Sequence, residues 1–278
     1  MQDSSGDMLV ASLHSGQADR PLAVLIHGLT GTHDSSYIRA TALALLAAGY
    51  PVLRLNLRGA GETAPVSRER YHAGRSQDLR DALSGLDPAL LCNGLVLVGY
   101  SLGGNMLLKF LAEDSGGLPL RAGVSISAPI DLAASSRQFL KPRNFLYHRW
   151  LLARMQQETL DNPTLSGAER QAISESRSVY AFDDRFVAPR NGFQDAEDYY
   201  QQCSALGFLH RIGVPTLAIH AADDPWIPVA AYRDFDWAGN PALKFLLSPG
   251  GGHVGFHDGD ATAWHDRCLL AFFNSLSD

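Results

Sequence analysis

Three residue types that together can cleave a carbonyl compound occur in this chain at places where a backbone could hold them. Ser101 lies at the centre of Gly99-Tyr100-Ser101-Leu102-Gly103. A serine hydroxyl attacks a carbonyl only when a base takes its proton, and that base needs a third group to orient it. Of the ten histidines, His253 sits in the glycine-rich stretch PGGGHVGF (Pro249–Phe256), which can bring a ring close to another backbone. Two adjacent carboxylates, Asp223 and Asp224, occupy AADDPWIP. Pro225 biases Asp224 toward an extended conformation, in which neighbouring side chains point to opposite sides. At most one of the pair is therefore expected to face the histidine. Asp224 is the better candidate, leaving Asp223 to cap a turn or face solvent.

The elements that must position these groups are short apolar runs alternating with amphipathic ones. Strands are expected at Pro21–Gly28, Pro51–Gly59, from Leu95 up to Ser101, at Arg121–Ser127, Pro215–Ala221 and Leu243–Ser248. Helices are expected at Ser35–Gly49, with Ser35 as N-cap, at Ser76–Leu86, Asn105–Ala112 and Ala261–Leu276. This alternation implies an α/β fold, a mostly parallel sheet with helices on both faces. LVLVGYSLGGNMLLKFLA would then turn sharply from buried strand to helix at Ser101. Small neighbours are needed at such a turn, and Gly99 and Gly103 supply them. The serine would stand at the carboxyl edge of the sheet, where a helix start offers unpaired N–H groups. The amides of Leu102 and of Leu29, in His27-Gly28-Leu29, are the natural donors for an oxyanion. His27 itself reads as structural, its ring bracing that loop.

From Ala128 to Gly207 the alternation stops, in a stretch too long for an ordinary loop. It holds helical patterns, FLYHRWLLARMQQ and QDAEDYYQQCSAL, and is rich in aromatics between Phe139 and Tyr200. This segment, 128–207, is expected to form a cap inserted in a core made of 1–127 and 208–278. Its aromatics suit a small core of their own and an apolar wall for a pocket equally well.

Composition sets limits. At 278 residues, 46% hydrophobic and 19% charged, the chain can bury a substantial core. With 23 basic and 29 acidic residues its formal charge is −6, which argues against general affinity for nucleic acid or an anionic membrane while allowing a local patch. Cys92, Cys203 and Cys268 match no zinc or redox spacing and read as reduced, mostly buried thiols. His257, four residues after His253, has no companion carboxylate motif, so no metal is expected. The N-terminal residues lack the basic start and apolar stretch of a signal peptide, and no run is long enough to insert stably in a bilayer; a cytoplasmic protein is the expectation.

The sequence resembles the YheT-like α/β-hydrolases. The likeness runs through HGLTGTHDSSYIR, NLRGAGET, YHAGRSQDLR, GYSLGGNMLLKFL, SAPIDL, FDDRFVAPRNGFQDAEDYY, ADDPWIP and GGGHVGF. The stretch Phe182–Tyr200 is the most specific, because it lies outside the motifs shared across the superfamily. The resemblance implies an α/β-hydrolase fold, a charge relay matching Ser101, Asp224 and His253, carboxylic ester hydrolase activity and no cofactor. It departs at the front, where members carry a longer segment before the strand of His27. The expected substrate is a small-molecule or lipid-like ester with a small or medium acyl chain. An acyltransferase would use the same residues, and a binding protein could use the same fold. Nothing in the sequence speaks to oligomeric state.

Overall fold

The computed structural model describes residues 6–113 and 116–276. Its strands are β1 (Ala11–His14), β2 (Leu22–Ile26), β3 (Val52–Leu55), β4 (Leu95–Tyr100), β5 (Leu120–Ile126), β6 (Thr216–Ala221) and β7 (Leu243–Ser248). They form one sheet in the order β1-β3-β2-β4-β5-β6-β7. Strands β2 to β7 run parallel, and β1 pairs antiparallel with β3 at the edge. The arrangement is the α/β fold expected from the alternation. β1 was not expected: four residues carry too short a pattern to read, and its place is set by pairing with Val52–Leu55.

Period-two alternation divides the core between the two sheet faces. Leu22, Val24 and Ile26 join one apolar cluster with Leu95 and Leu97. Ala23 and Leu25 join the other with Val96, Val98 and Tyr100. Helices α1 (Ser36–Ala47) and α11 (Trp264–Asn274) cover the second face, and α2 (Gln77–Ser84) and α3 (Leu102–Ala112) the first. A helix start and the bonding of a cap differ here from the sequence expectation. The closing helix starts at Trp264, where the amide bonds to the Phe256 carbonyl. Ser35 does not cap α1 through its side chain; its hydroxyl accepts the Thr32 N–H at 2.9 Å, folding the preceding loop.

Between β5 and β6 the chain leaves the sheet. It forms α4 (Leu132–Phe139), α5 (Phe145–Leu160), α6 (Gly167–Glu175), α7 (Val179–Phe182), α8 (Ala188–Arg190) and α9 (Ala196–Cys203), and no strand among the described residues. Between α7 and α8, Asp183–Val187 winds as a π-helical turn. The short α10 (Ala230–Asp234) follows β6. Leu151, Met155, Ile173, Phe182 and Phe186 form an apolar cluster within this helical layer. Asn105 of α3 ties the layer down, donating to the Ala73 and Cys203 carbonyls and accepting the Ala205 N–H. Among the described residues no helix is long and apolar enough to cross a membrane. The cysteines are free, but only Cys203 is buried; Cys92 is exposed and Cys268 half-buried, because neither lies on a fully covered face.

Candidate active site

β4 ends at Tyr100, and Ser101 follows with φ 50° and ψ −122° before α3 begins at once at Leu102. A non-glycine residue in this left-handed region is strained, and such strain clusters at functional sites. The turn closes this tightly because its flanks lack side chains. A Cβ on Gly99 would stand 2.6 Å from the Gly103 carbonyl oxygen, and one on Gly103 would stand 2.3 Å from that of His27. α3 thus starts three residues earlier than the apolar pattern suggests, with Gly103 and Gly104 in its first turn.

His253 Nε2 lies 2.8 Å from Ser101 Oγ, and its Nδ1 lies 2.9 Å from Asp224 Oδ2. The carboxylate can only accept, so the ring proton belongs on Nδ1 and Nε2 is left to accept from the serine hydroxyl. Asp224 is buried, and its Oδ1 accepts the N–H groups of Trp226 and Ile227 at 2.8 and 3.0 Å. Asp223 points elsewhere: it is exposed, and its Oδ1 accepts the Gly252 N–H at 2.9 Å, pinning the loop that carries His253. The two side chains diverge because the segment is a turn, closed by Asp224 N–H to the Ala221 carbonyl, and not the extended run expected.

Leu29 and Leu102 line the same cavity as Ser101, and the amide of neither has an acceptor among the described residues. The loop of Leu29 comes this close because Gly28 has no side chain: a Cβ there would stand 3.0 Å from Ser101 Cβ. Three aromatic residues fix the loop. Tyr37 Oη accepts the Gly28 N–H at 2.9 Å, and Tyr71 Oη accepts the Thr30 N–H at 2.7 Å. His27 Nδ1 donates to the Gly28 carbonyl, and its Nε2 accepts the Leu57 N–H. Burial lowers the His27 pKa to about 4, so the ring stays neutral, as both bonds require. The bracing by His27 follows the sequence reading. Tyr37 and Tyr71 had no sequence signal, since nothing local marks a tyrosine whose partner lies nine or 41 residues away.

The site opens into a cavity of about 410 Å³, lined mostly by apolar side chains from both layers. From the helical layer come Phe139, Tyr147, Trp150, Leu151, Phe182 and Phe186, among others. Phe182 and Phe186 also sit in that layer's own cluster, so both readings of the aromatic-rich stretch hold. Tyr147 stacks on Trp226 at 3.5 Å, and Trp226 packs against the His253 ring at 4.7 Å. Asn144 and Gln138 both donate to the Pro225 carbonyl, at 2.8 and 3.1 Å. The helical layer therefore grips the Asp224 loop. Polar groups interrupt the apolar wall, Arg70, His72, Glu158, Arg190 and Asp183 among them. Asp183, on the π turn, is buried and accepts from Tyr200 Oη at 2.7 Å, and burial raises its pKa to about 7. His257 is exposed, and no group of three metal-binding side chains is gathered among the described residues.

Chemically, the arrangement pairs a hydroxyl with an imidazole nitrogen, a buried carboxylate behind the imidazole, and two uncommitted amides on residues that line the same cavity.

Residues 21–260 match the family model for the alpha/beta hydrolase fold. The chain is 34% identical over 255 residues to YheT of Escherichia coli (strain K12), a protein named provisionally as an esterase; the match covers 90% of this chain and 74% of that one. It is 28% identical to a monoacylglycerol lipase of Saccharomyces cerevisiae and 27% identical to the human phospholipase ABHD3. These matches cover 93% and 92% of this chain but only 60% and 64% of those relatives. Among solved structures, the Pyrococcus furiosus esterase Pf2001 superposes with a TM-score of 0.67 at 17% identity, over 99% of this chain and 90% of that one, a likeness of fold. With a family model spanning most of its length and YheT covered over about three-quarters, the chain belongs to the α/β-hydrolase family, in its YheT-like branch.

Proposed function

We propose that the chain is a serine carboxylic ester hydrolase, acting through an acyl-enzyme on esters of small or medium acyl chain. The observation that carries this reading is the run of contacts from Asp224 through His253 to Ser101, facing a cavity beside two free amides. Ser101 Oγ attacks the ester carbonyl as His253 Nε2 takes its proton. The tetrahedral oxyanion accepts from the Leu29 and Leu102 amides. Collapse expels the alcohol, which receives the proton from His253. Water, deprotonated by the same nitrogen, then attacks the acyl-enzyme and releases the acid. Asp224 holds the ring in the required tautomer and stabilises the imidazolium in between. Relatives named as a monoacylglycerol lipase and a phospholipase support an acyl ester as substrate. A cavity of about 410 Å³ lined by aromatic and aliphatic groups suits a modest acyl chain. In this reading 128–207 is a cap that closes over the site.

A fluorophosphonate probe is expected to label the chain at Ser101 alone, and Ser101→Ala to remove both labelling and hydrolysis of p-nitrophenyl esters. Mass spectrometry of the labelled protein checks it. Labelling that persists in Ser101→Ala sinks the assignment.

A further inference from the structure

The chain is acidic overall, yet from Leu132 to Gln157 it contains no carboxylate, while Arg137, Lys141, Arg143, Arg149 and Arg154 fall in that span. The same span holds large apolar groups that the fold leaves in solvent: Leu140 is 54% exposed, Phe145 54%, Leu146 80% and Trp150 54%. On α5 the outward residues are Phe145, Leu146, Arg149, Trp150, Ala153 and Arg154, spaced i, i+1, i+4, i+5, i+8 and i+9. That spacing is one continuous stripe of a helix, and its opposite face, His148, Leu151, Leu152 and Met155, is buried. The Arg149 guanidinium lies over the Phe145 ring and that of Arg154 over the Trp150 ring, so charge and apolar surface interleave along it. Arg177 adds to the patch, sharing a shallow hollow with Leu140, Pro142 and Phe145. Arg154 is paired with Glu158. Lys141, Arg143, Arg149 and Arg177 meet no carboxylate among the described residues.

A protruding stripe of Trp, Phe and Leu flanked by unpaired Lys and Arg fits the interface of a bilayer: rings and aliphatic chains enter the boundary of the acyl region and the cations meet anionic headgroups. We propose that the turn before α5 and the outer stripe of α5 form a peripheral docking surface for an anionic lipid membrane. A second copy of this chain does not suit the surface. A two-fold pairing would set a patch carrying Lys141, Arg143 and Arg149 against a second copy of the same cationic patch, and facing like charges oppose association. The stripe adjoins the cavity, because Trp150 is both exposed on it and part of the cavity lining. Docking would therefore set the mouth of the cavity against the lipid. This consequence rests on the Ser101 reading; the docking itself does not.

The test is sedimentation of the full chain with vesicles of phosphatidylcholine alone and of phosphatidylcholine with about one-third phosphatidylglycerol, at low and high salt. Binding at least about tenfold tighter to the anionic vesicles, and weakened by salt, is expected. The charge reversal Lys141→Glu with Arg143→Glu and Arg149→Glu is expected to weaken it about a hundredfold, and Phe145→Ser with Leu146→Ser about tenfold. Circular dichroism and unchanged fluorophosphonate labelling in both variants establish that fold and serine are intact. Repeating the sedimentation with Ser101→Ala separates docking from catalysis, since that protein binds equally well if the surface alone is responsible. Failure to sediment, equal partition into both vesicles, or variants that bind like the parent overturns the proposal. So does a dimer in light scattering that the same substitutions split.

Discussion

Strands β2 and β4 are buried at every residue, whereas α5 of the helical layer leaves Phe145, Leu146 and Trp150 more than half exposed. The sheet carries the groups proposed for bond making, each at the carboxyl end of a strand: Leu29 after β2, Ser101 after β4, Asp224 after β6 and His253 after β7. The helical layer contributes no member of the Ser101–His253–Asp224 contacts, but it walls the cavity and grips Pro225. Reaction geometry must hold to fractions of an ångström and so belongs on close-packed strands. Substrate choice tolerates looser construction. Substitutions at the sheet edge are thus expected to act on rate, and those in the helical layer on binding, partners and stability.

The largest effect should come from the paired aspartates. Asp224→Asn keeps the shape but offers an N–H where His253 needs an acceptor, favouring the wrong tautomer; kcat is expected to fall about 10⁴-fold with the protein still folded. Asp223→Asn loses part of the bond to Gly252 and should cost about tenfold, through displacement of the His253 loop. Kinetics of both variants on one activated ester check this. Were Asp223→Asn the crippled protein, the roles would be exchanged.

A smaller loss tests whether the sheet edge also needs its supporting residues. Thr30 is β-branched and sits at φ 56°, a strained angle that the bond from its N–H to Tyr71 Oη helps hold. Tyr71→Phe deletes that acceptor and lets the Leu29 amide drift. Losing an oxyanion donor outright costs about 10²–10³ in kcat, so a displaced one is expected to cost about tenfold, with KM little changed. An unchanged kcat would show that His27 and Tyr37 hold the loop unaided.

The two regions also differ in how far they could be read from sequence. Core strands were legible because burial on both faces leaves unbroken apolar runs such as Leu95–Val98, and the elbow because close backbone approach demands glycine at fixed positions. Ser101, Asp224 and His253 stood out as polar residues just past such runs. β1 escaped because an edge strand of four residues draws its order from β3, not from its own pattern. Ser35 was misread because its hydroxyl had two local amides to choose between, and the loop amide of Thr32 won. Between β5 and β6, helices could be expected but not their faces. Nothing in Phe182-Asp183-Asp184 says which carboxylate turns inward, because the π turn that carries Asp183 to the cavity wall packs against both α6 and α9, and that packing is not written in the local pattern.

Asp183 probes the looser construction of the helical layer through stability and not through rate. Burial raises its pKa from 3.8 to about 7, and only the Tyr200 hydroxyl among the described residues donates to its side chain. Between pH 4 and 7 the folded protein therefore keeps a proton that the unfolded chain releases. Since the folded state binds more protons there, stability falls as pH rises through that window and stays at its lower value above pH 7. Buried histidines act in the opposite sense: His27, His72, His220 and His265 are all lowered, to about 4, 3, 4 and 4, so the stability they contribute is present above pH 6.5 and lost as pH falls. Comparing the parent with Asp183→Asn cancels those common terms. The amide keeps an acceptor for Tyr200 and carries no charge, so the variant should match the parent near pH 4 and exceed it above pH 7. The gain is at most about 4 kcal/mol at roughly 1.4 kcal/mol per pKa unit, and about 2–4 °C of Tm per kcal/mol in a chain of this size class. Thermal unfolding of both proteins at pH 5 and pH 8 decides it. A Tm difference that does not widen with pH would mean that Asp183 is ionised and stabilised in the folded protein, and that this wall of the cavity is as fully compensated as the sheet beneath it.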